Sequence, residues 1–172
     1  VIDWSAIVAQ HGPIVWRTVY RLVSHREDAL DCYQETFLQA AQYAACHTVS
    51  NWPGLLKQMA TARALDCLRR RYRTDRRIAP LEAAAGSEQH GPRPDADAAL
   101  RETLEQLRQA LTELPANQCE VFCLREIELM STADVAAQLR VTPDEVATWL
   151  HRAKAKLRKL LANHNRSNKV QP

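Results

Sequence analysis

VAAQLRVTPDEVATWLHRAKAKLRKLL, residues 135–161, is the stretch on which the architecture turns. Val135, Ala136 and Leu139 recur at helical spacing and break off at Leu139-Arg140-Val141. Val146, Leu150, Ala153, Leu157 and Leu160 then carry a second helical stripe. Both starts are signalled. Ser131 with Asp134 has capping-box spacing. Thr142-Pro143-Asp144-Glu145 combines a hydroxyl cap, a proline that fits the first turn, and a carboxylate able to reach back to the cap amide. Two helices joined by three residues form a helix-turn-helix pattern. Adjacent helices of any small bundle can share that pattern, so charge must decide what the pair does.

With Leu150 turned inward, Glu145, Thr148, Arg152, Ala155 and Lys159 fall on the outward side, with His151 and Arg158 beside them. The segment from Arg152 to Lys159 has five basic residues and no acidic one. That suits contact with phosphates, and it also suits a plain solvated face. Asp144 and Glu145 put negative charge at the helix start, where phosphate would otherwise be attracted, so base reading through that end is expected to be weak or unusual.

Moving back along the chain, Leu100, Leu104, Leu107, Leu111 and Leu114 mark a helix stopped at Pro115. Another helix follows over 117–128, with Val121, Phe122 and Leu124 free to pack. Residues 99–161 thus read as one helical module, and the polar tail 162–172 is expected to fray. Residues 78–98 lose all periodicity. They contain three prolines, two glycines and four acidic residues against one basic, and read as a flexible acidic linker.

A second helical module occupies residues 1–77. Its first stripe, Trp4 to Leu22, is interrupted at Gly12-Pro13 and is expected to form one kinked helix or two short ones. A helix over 26–44 is expected to bury Ala29, Leu30, Tyr33, Thr36, Phe37 and Ala40. Asp28, Asp31, Glu35, Leu38 and Gln42 form its outer stripe. A lone exposed leucine needs no explanation, but one framed by carboxylates resembles the apolar centre and charged rim of a docking site. After the polar break Cys46–Asn51, Trp52-Pro53 opens a third helix that is apolar on several sides and belongs at the bundle centre. Asn51 fits either a helix cap or a hydrogen bond to a base edge. Trp52 fits either the core or a stacking surface. Between Arg63 and Arg77 stand seven arginines and two aspartates. These could grip phosphates, or simply serve as cations at a helix C-terminus.

Bulk properties narrow the classes. Aromatics at 6% and only four glycines favour aliphatic helix packing over sheet, and the net charge of +3 is too small to name a partner. The odd set Cys32, Cys46, Cys67, Cys119 and Cys123 forms no CxxC, so free thiols in a reducing compartment are expected, with Cys119 and Cys123 buried. No cofactor or metal is called for, and no glycine-rich phosphate loop or zinc-protease spacing appears. No apolar run reaches the about 20 residues a membrane helix needs, so no membrane insertion is expected and the chain reads as cytoplasmic. Its start at Val1 implies missing or processed residues ahead of it.

The order of the pieces carries more than any one of them. DALDCYQETFLQA (28–40), WPGLLKQMATARALDCLRRRYR (52–73), Leu114-Pro115, VFCLREIELMSTADVAAQL (121–139) and VATWLHRAKAKLRKLL (146–161) closely resemble the RNA polymerase sigma-70 family, in its compact extracytoplasmic-function (ECF) subgroup. The resemblance implies an all-α fold of two small helical domains, the second containing the helix-turn-helix. It also implies core RNA polymerase, promoter DNA and an anti-sigma factor as partners, no obligate homo-oligomer, and no covalent step by this chain. Carried over by motif, Asp28, Asp31, Gln34, Glu35 and Leu38 lie in the segment resembling the polymerase-binding helix. Asn51, Trp52, Arg63, Arg69, Arg70, Arg71 and Arg73 fall in the minus-10 region. Thr142, Glu145, Thr148, His151, Arg152, Lys156 and Lys159 fall in or beside the minus-35 reading helix. Departures from the family pattern are Ala62 where asparagine is usual, Arg140 where glycine is common, and Glu145, Ala147 and Trp149 on the reading helix. A helix-turn-helix repressor acting without polymerase, or a partner-binding decoy of the same shape, would share much of this sequence.

Overall fold

The computed structural model describes the backbone of residues 2–78 and 95–168, with side chains described over 2–74 and 98–163. Seven α-helices make up these residues. They are α1 Trp4–Val23, α2 Arg26–Cys46, α3 Trp52–Ile78, α4 Asp95–Thr112, α5 Ala116–Phe122, α6 Thr132–Leu139 and α7 Pro143–Asn168, with a π-helical turn Cys123–Ile127 continuing α5. Most of the proposed linker and the end of the tail lie outside the described residues. The helix ahead of Pro115 begins at Asp95, a few residues before the boundary expected at 99.

Local chemistry sets the ends. Asp3 caps α1 by accepting from the Ala6 amide at 3.0 Å, and Ser24 closes it in the left-handed region, its amide donating to the Tyr20 carbonyl. The Gly12-Pro13 pair does not break α1. Pro13 forgoes one backbone bond within a continuous helix, and buried Gly12 lets α2 come close, since a Cβ there would lie 2.7 Å from the Tyr33 hydroxyl. Asn51 caps α3, accepting from the Gly54 amide at 2.9 Å. On α6, the Ser131 hydroxyl accepts from the Asp134 amide at 3.0 Å. At α7, the Glu145 carboxylate accepts from the Thr142 amide at 2.8 Å and its hydroxyl at 2.9 Å, while the Glu145 amide donates to Thr142 Oγ1 at 3.2 Å. The turn at Arg140 is left-handed, with φ 56°, a conformation that glycine adopts freely and arginine only under strain. Its strain is on the order of 1 kcal/mol.

α3 is the central helix, packed by both α1 and α2 and touched by the C-terminal helices as well. Val15, Val19, Leu22, Leu56, Ala60, Leu65 and Leu68 are buried around it, and each large aliphatic side chain contributes about 2 kcal/mol relative to exposure. Leu55, Leu65 and Leu68, off the main stripe in sequence, are buried because neighbours enclose the helix on several sides. On α2 the expected inward set is adjusted: Ala29, Thr36 and Ala40 are buried, but Leu30 is 47% exposed and Cys32 takes the inward place.

This core does not stop at the chain's midpoint. Ala110, Leu111, Leu114, Cys119, Cys123, Ala153 and Leu157 of the C-terminal module join the same buried cluster. A second, smaller core of Val121, Leu124, Met130, Val135, Ala136 and Val146 holds α6 and the start of α7, with Trp149 and Leu150 against it. Trp149 is thus spent on packing, which accounts for an aromatic residue on that helix.

Candidate functional surfaces

Three surfaces are built on this frame. The first is the outward face of α2. Tyr33 and Phe37, ring centroids 5.1 Å apart, turn toward the bundle, while Asp31, Gln34, Glu35 and Leu38 are exposed and Asp28 is half-buried. Leu38 is 61% exposed, so its apolar side chain has no packing role within the described chain.

The acidic residues are not isolated from the arginines. A cleft of about 410 Å³ between α2 and α3 is lined by Asp28, Asp31, Glu35, Arg70 and Arg71, with Cys32 and Cys67 also on its wall. A neighbouring cleft of about 540 Å³ gathers Glu35, Arg63, Asp66, Arg69, Arg70 and Arg73, with Tyr72 and Thr112. Arg63 turns toward α2, its Nε donating to Gln39 Oε1 at 3.1 Å and its guanidinium 3.9 Å from Glu35. Arg69 pairs with Asp66 at 3.3 Å, yet its Nη2 is buried with no hydrogen-bond partner among the described residues. Burial pushes the Cys32 thiol up to about 12, with the Cys67 thiol beside it adding to the shift, so this pair is held as neutral thiols.

The second surface is the corner between the end of α2 and the start of α3. Tyr43 stacks on His47 at 4.3 Å, and a hollow of about 480 Å³ is lined by Ile2, Ala44 to Val49 and Trp52. Trp52 is half-buried, edge-on to Trp4 at 5.4 Å, so one side of its ring belongs to the core and the other borders the hollow. The structure divides the residues expected to act together here. Arg69 is 17 residues after Trp52 on the same helix, about 25 Å along the axis. Asn51 and Trp52 therefore form one place and Arg69 to Arg73 another. Helical spacing alone could have given this separation.

The third surface is the outward side of α7. Thr142, Glu145, Thr148, His151, Arg152, Lys156 and Lys159 are all exposed. Ala155, expected outward, is half-buried. Thr142 and Glu145 are engaged with each other, and these bonds hold the Glu145 carboxyl below the usual carboxylate range. Lys156 donates to the Glu113 carbonyl at 2.7 Å and Lys154 pairs with Glu126 at 2.9 Å, so part of the basic run ties α7 to its own module.

A model of sigma-70 region 2 matches residues 7–74, and a model of sigma-70 region 4 matches residues 104–157. The chain belongs to the sigma-70 family. Its ECF subgroup is marked by its relatives. The chain is 30% identical over 163 residues to the ECF RNA polymerase sigma factor SigE of Mycolicibacterium smegmatis, covering 95% of this chain and 63% of that protein's length. It is 27% identical over 153 residues to the ECF sigma factor SigL of Mycobacterium tuberculosis, covering 89% of this chain and 85% of SigL. Among solved structures, CnrH in complex with the cytosolic domain of CnrY matches with a TM-score of 0.60 at 22% identity, over 93% of this chain and 88% of that one. The sigma factor RpoE of Bartonella quintana, crystallised with the anti-sigma factor NepR, matches with a TM-score of 0.56 at 22% identity, over 94% and 98%. These two likenesses show the all-α fold. As a sigma-family protein the chain is not itself an enzyme, and among the described residues no three His, Cys, Asp or Glu side chains come together to hold a metal ion. No helix of the described residues is long and apolar enough to cross a membrane.

Two features of these surfaces escaped the sequence. Glu35 faces α3's arginines across a shared cleft, and Tyr43 with His47 walls the hollow beside Trp52. Tyr43 and His47 share the i,i+4 spacing that stacks rings on one helix face, a signal that was present but could not be given a role.

Proposed function

We propose that this chain is an ECF sigma factor that binds core RNA polymerase, engages minus-10 and minus-35 promoter elements, and assists strand opening at initiation. The observation that carries this reading is the pair of sigma-70 matches, region 2 then region 4, in one chain. The exposed surfaces give each module a role. The acid-framed Leu38 on α2 is the apolar anchor for polymerase, with Asp28, Asp31, Gln34 and Glu35 as its rim. The hollow beside Trp52 takes an unpaired minus-10 base against its aromatic wall, while Arg69, Arg70, Arg71 and Arg73 attract the strand's phosphates farther along α3. Arg152 and Lys159 contact phosphates at the minus-35 element, with Thr148 and His151 facing the groove.

Binding to polymerase holds two individually weak DNA contacts at a fixed separation, so they act together at high effective concentration. Favouring unpaired strand over duplex then assists melting, while RNA synthesis belongs to polymerase. An anti-sigma protein is the expected inhibitor, in line with the partner named for the Bartonella relative. The test is in vitro transcription with purified cognate core polymerase and a promoter library. Selective transcripts dependent on this chain are expected. Failure to associate with core enzyme or to initiate at any promoter refutes the reading.

A further inference from the structure

Cys32 on α2 and Cys67 on α3 are nucleophilic groups that the proposed function leaves without a task. Far apart in the chain, they are brought together by the fold. The Cys32 thiol donates to the Arg63 carbonyl at 3.8 Å. In a regular helix that carbonyl also accepts from the amide four residues on, which in α3 belongs to Cys67. Cys32 Sγ is therefore seated on the turn of α3 that ends at Cys67, and the two thiols interact directly.

Access sets this pair apart from the other cysteines. Both side chains border the cleft of about 410 Å³ between α2 and α3, whose walls also carry Asp31, Glu35, Arg70 and Arg71. A solute as small as hydrogen peroxide thus has a way to thiols that are otherwise 2% and 9% exposed. Cys119 and Cys123 also interact, but both are wholly enclosed in the core, and Cys119 is bonded to the Leu111 carbonyl at 3.2 Å. Cys46 is exposed, but it lies fourteen residues beyond Cys32 on α2, about 21 Å along the axis.

The surroundings also set an order of attack. Burial and then the Asp28 charge push the Cys67 thiol up, while a hydrogen bond from Cys32 and the guanidinium groups of Arg70 and Arg71 favour its thiolate. Cys67 is also the more exposed of the two, so it is the attacking thiol and Cys32 the resolving one.

We propose that Cys32 and Cys67 are a peroxide-driven disulfide site that ties α2 to α3 beneath the acidic face and weakens docking to polymerase. The cross-link stands on the contacts above; only its consequence rests on the proposed function. In the first step the Cys67 thiolate attacks hydrogen peroxide. An S–O bond forms, the O–O bond breaks, and the departing hydroxide takes a proton and leaves as water. Cys32 sulfur then attacks the sulfur of the Cys67 sulfenic acid. The S–S bond forms, the S–O bond breaks, and the oxygen leaves as water with the Cys32 proton. Two thiols are oxidised and one peroxide is reduced to two waters. Burial leaves thiolate scarce, so the cross-link forms under sustained exposure rather than in a brief pulse. Bonded sulfurs are about 2.0 Å apart, closer than thiols that merely touch, so the tie draws the Cys32 turn of α2 toward α3. Asp28, Asp31 and Glu35 flank Cys32 on that part of α2, and the rim shifts with it relative to Leu38.

The test uses the full reduced chain, with Cys32→Ala and Cys67→Ala as controls. Each is exposed to hydrogen peroxide, quenched with catalase, blocked with N-ethylmaleimide, and digested with trypsin and a glutamate-specific protease. Cleavage after Glu35 separates Cys32 from Cys46. Wild type should yield residues 28–35 joined to residues 64–69, released by dithiothreitol, and either variant should yield no such product. At unchanged helical circular dichroism, the affinity of oxidised wild type for core polymerase should fall by about tenfold and return with dithiothreitol. Cys67→Ala, which adds no bulk and cannot cross-link, should keep its affinity through the same treatment. Both thiols still free, or Cys67 oxidised without joining Cys32, overturns the cross-link. A joined peptide with unchanged polymerase affinity overturns the switch, provided that the reduced chain binds polymerase. If the reduced chain does not bind it, the functional reading has failed, and the peptide map alone decides the cross-link.

Discussion

α3 and α7 open in much the same way, with a polar cap and a proline in the first turn, yet they end with opposite electrical character. Asn51 caps α3 through a neutral amide, and no acidic residue stands in its first turn. Thr142 caps α7, but Asp144 and Glu145 follow at once, and the Glu145 carboxylate is bonded to Thr142. The partial positive charge of a helix start is therefore left available on α3 and neutralised on α7. Two similar starts thus suit different tasks: α3 can approach a strand at its beginning, whereas α7 must use its outward side farther along, around Arg152 to Lys159. Burial separates them too, since α3 is enclosed on several sides and α7 packs through one stripe ending in Val146, Ala153 and Leu157.

The largest effect should come from breaking the enclosure. Leu56→Ala on α3 is expected to cost about 3 kcal/mol in urea denaturation, against about 2 kcal/mol for Val146→Ala in the smaller core. Because the main core runs through both modules, Leu56→Ala should shift their unfolding together. Two separated transitions would show that the modules are energetically independent. Next is Leu38→Asp, which should weaken core-polymerase binding by roughly 30-fold or more while changing folding stability by under about 0.5 kcal/mol. An unchanged affinity in a titration with the folded variant would remove Leu38 from the interface.

A smaller change sharpens the electrical contrast. Replacing Arg70 and Arg71 with alanine should reduce promoter affinity and lower the slope of log affinity against log salt by about 1.5 in all. A steep slope retained by this variant would place the phosphate contacts elsewhere. The smallest effect belongs to Glu145. Its carboxyl is held below the ordinary value by Thr142, so its contribution to stability is present above about pH 4.5 and is lost as pH falls through the lower folded-state value. Glu145→Gln should flatten the acid limb of thermal stability slightly and strengthen DNA binding by removing a negative charge. Weaker DNA binding in this variant would instead give Glu145 a direct role in reading.

Much of the fold was legible because periodicity and caps are local. The starts at Trp52 and Pro143 and the box at Ser131 are written in three or four residues each, and the structure forms them from those side chains. Errors arose where a neighbour decided the outcome. Leu30 looks inward by hydrophobicity, but packing against α3 brings Cys32 to the inside and leaves Leu30 exposed. Gly12-Pro13 fits one kinked helix or two short ones, and the structure forms a single helix in which Gly12 admits the Tyr33 hydroxyl. Arg63 looks like any other arginine of its run in sequence, and only the structure sets Glu35 and Gln39 beside it. The candidate surfaces fared likewise: the exposure of Leu38 and the outward side of α7 followed from helical phase, whereas the clefts joining α2 to α3 did not.

Sequence alone determined that this protein is helical, where its principal caps lie, that it carries two modules in sigma-family order, and which stripe of each helix is apolar. Those properties depend on side chains within one or two turns of each other. Tertiary structure alone decided that one core runs through both modules and that Arg140 reaches Tyr43. It also seated α6 at the mouth of α3. Such contacts join residues far apart in the chain, and no local pattern encodes which distant surface a helix end will meet.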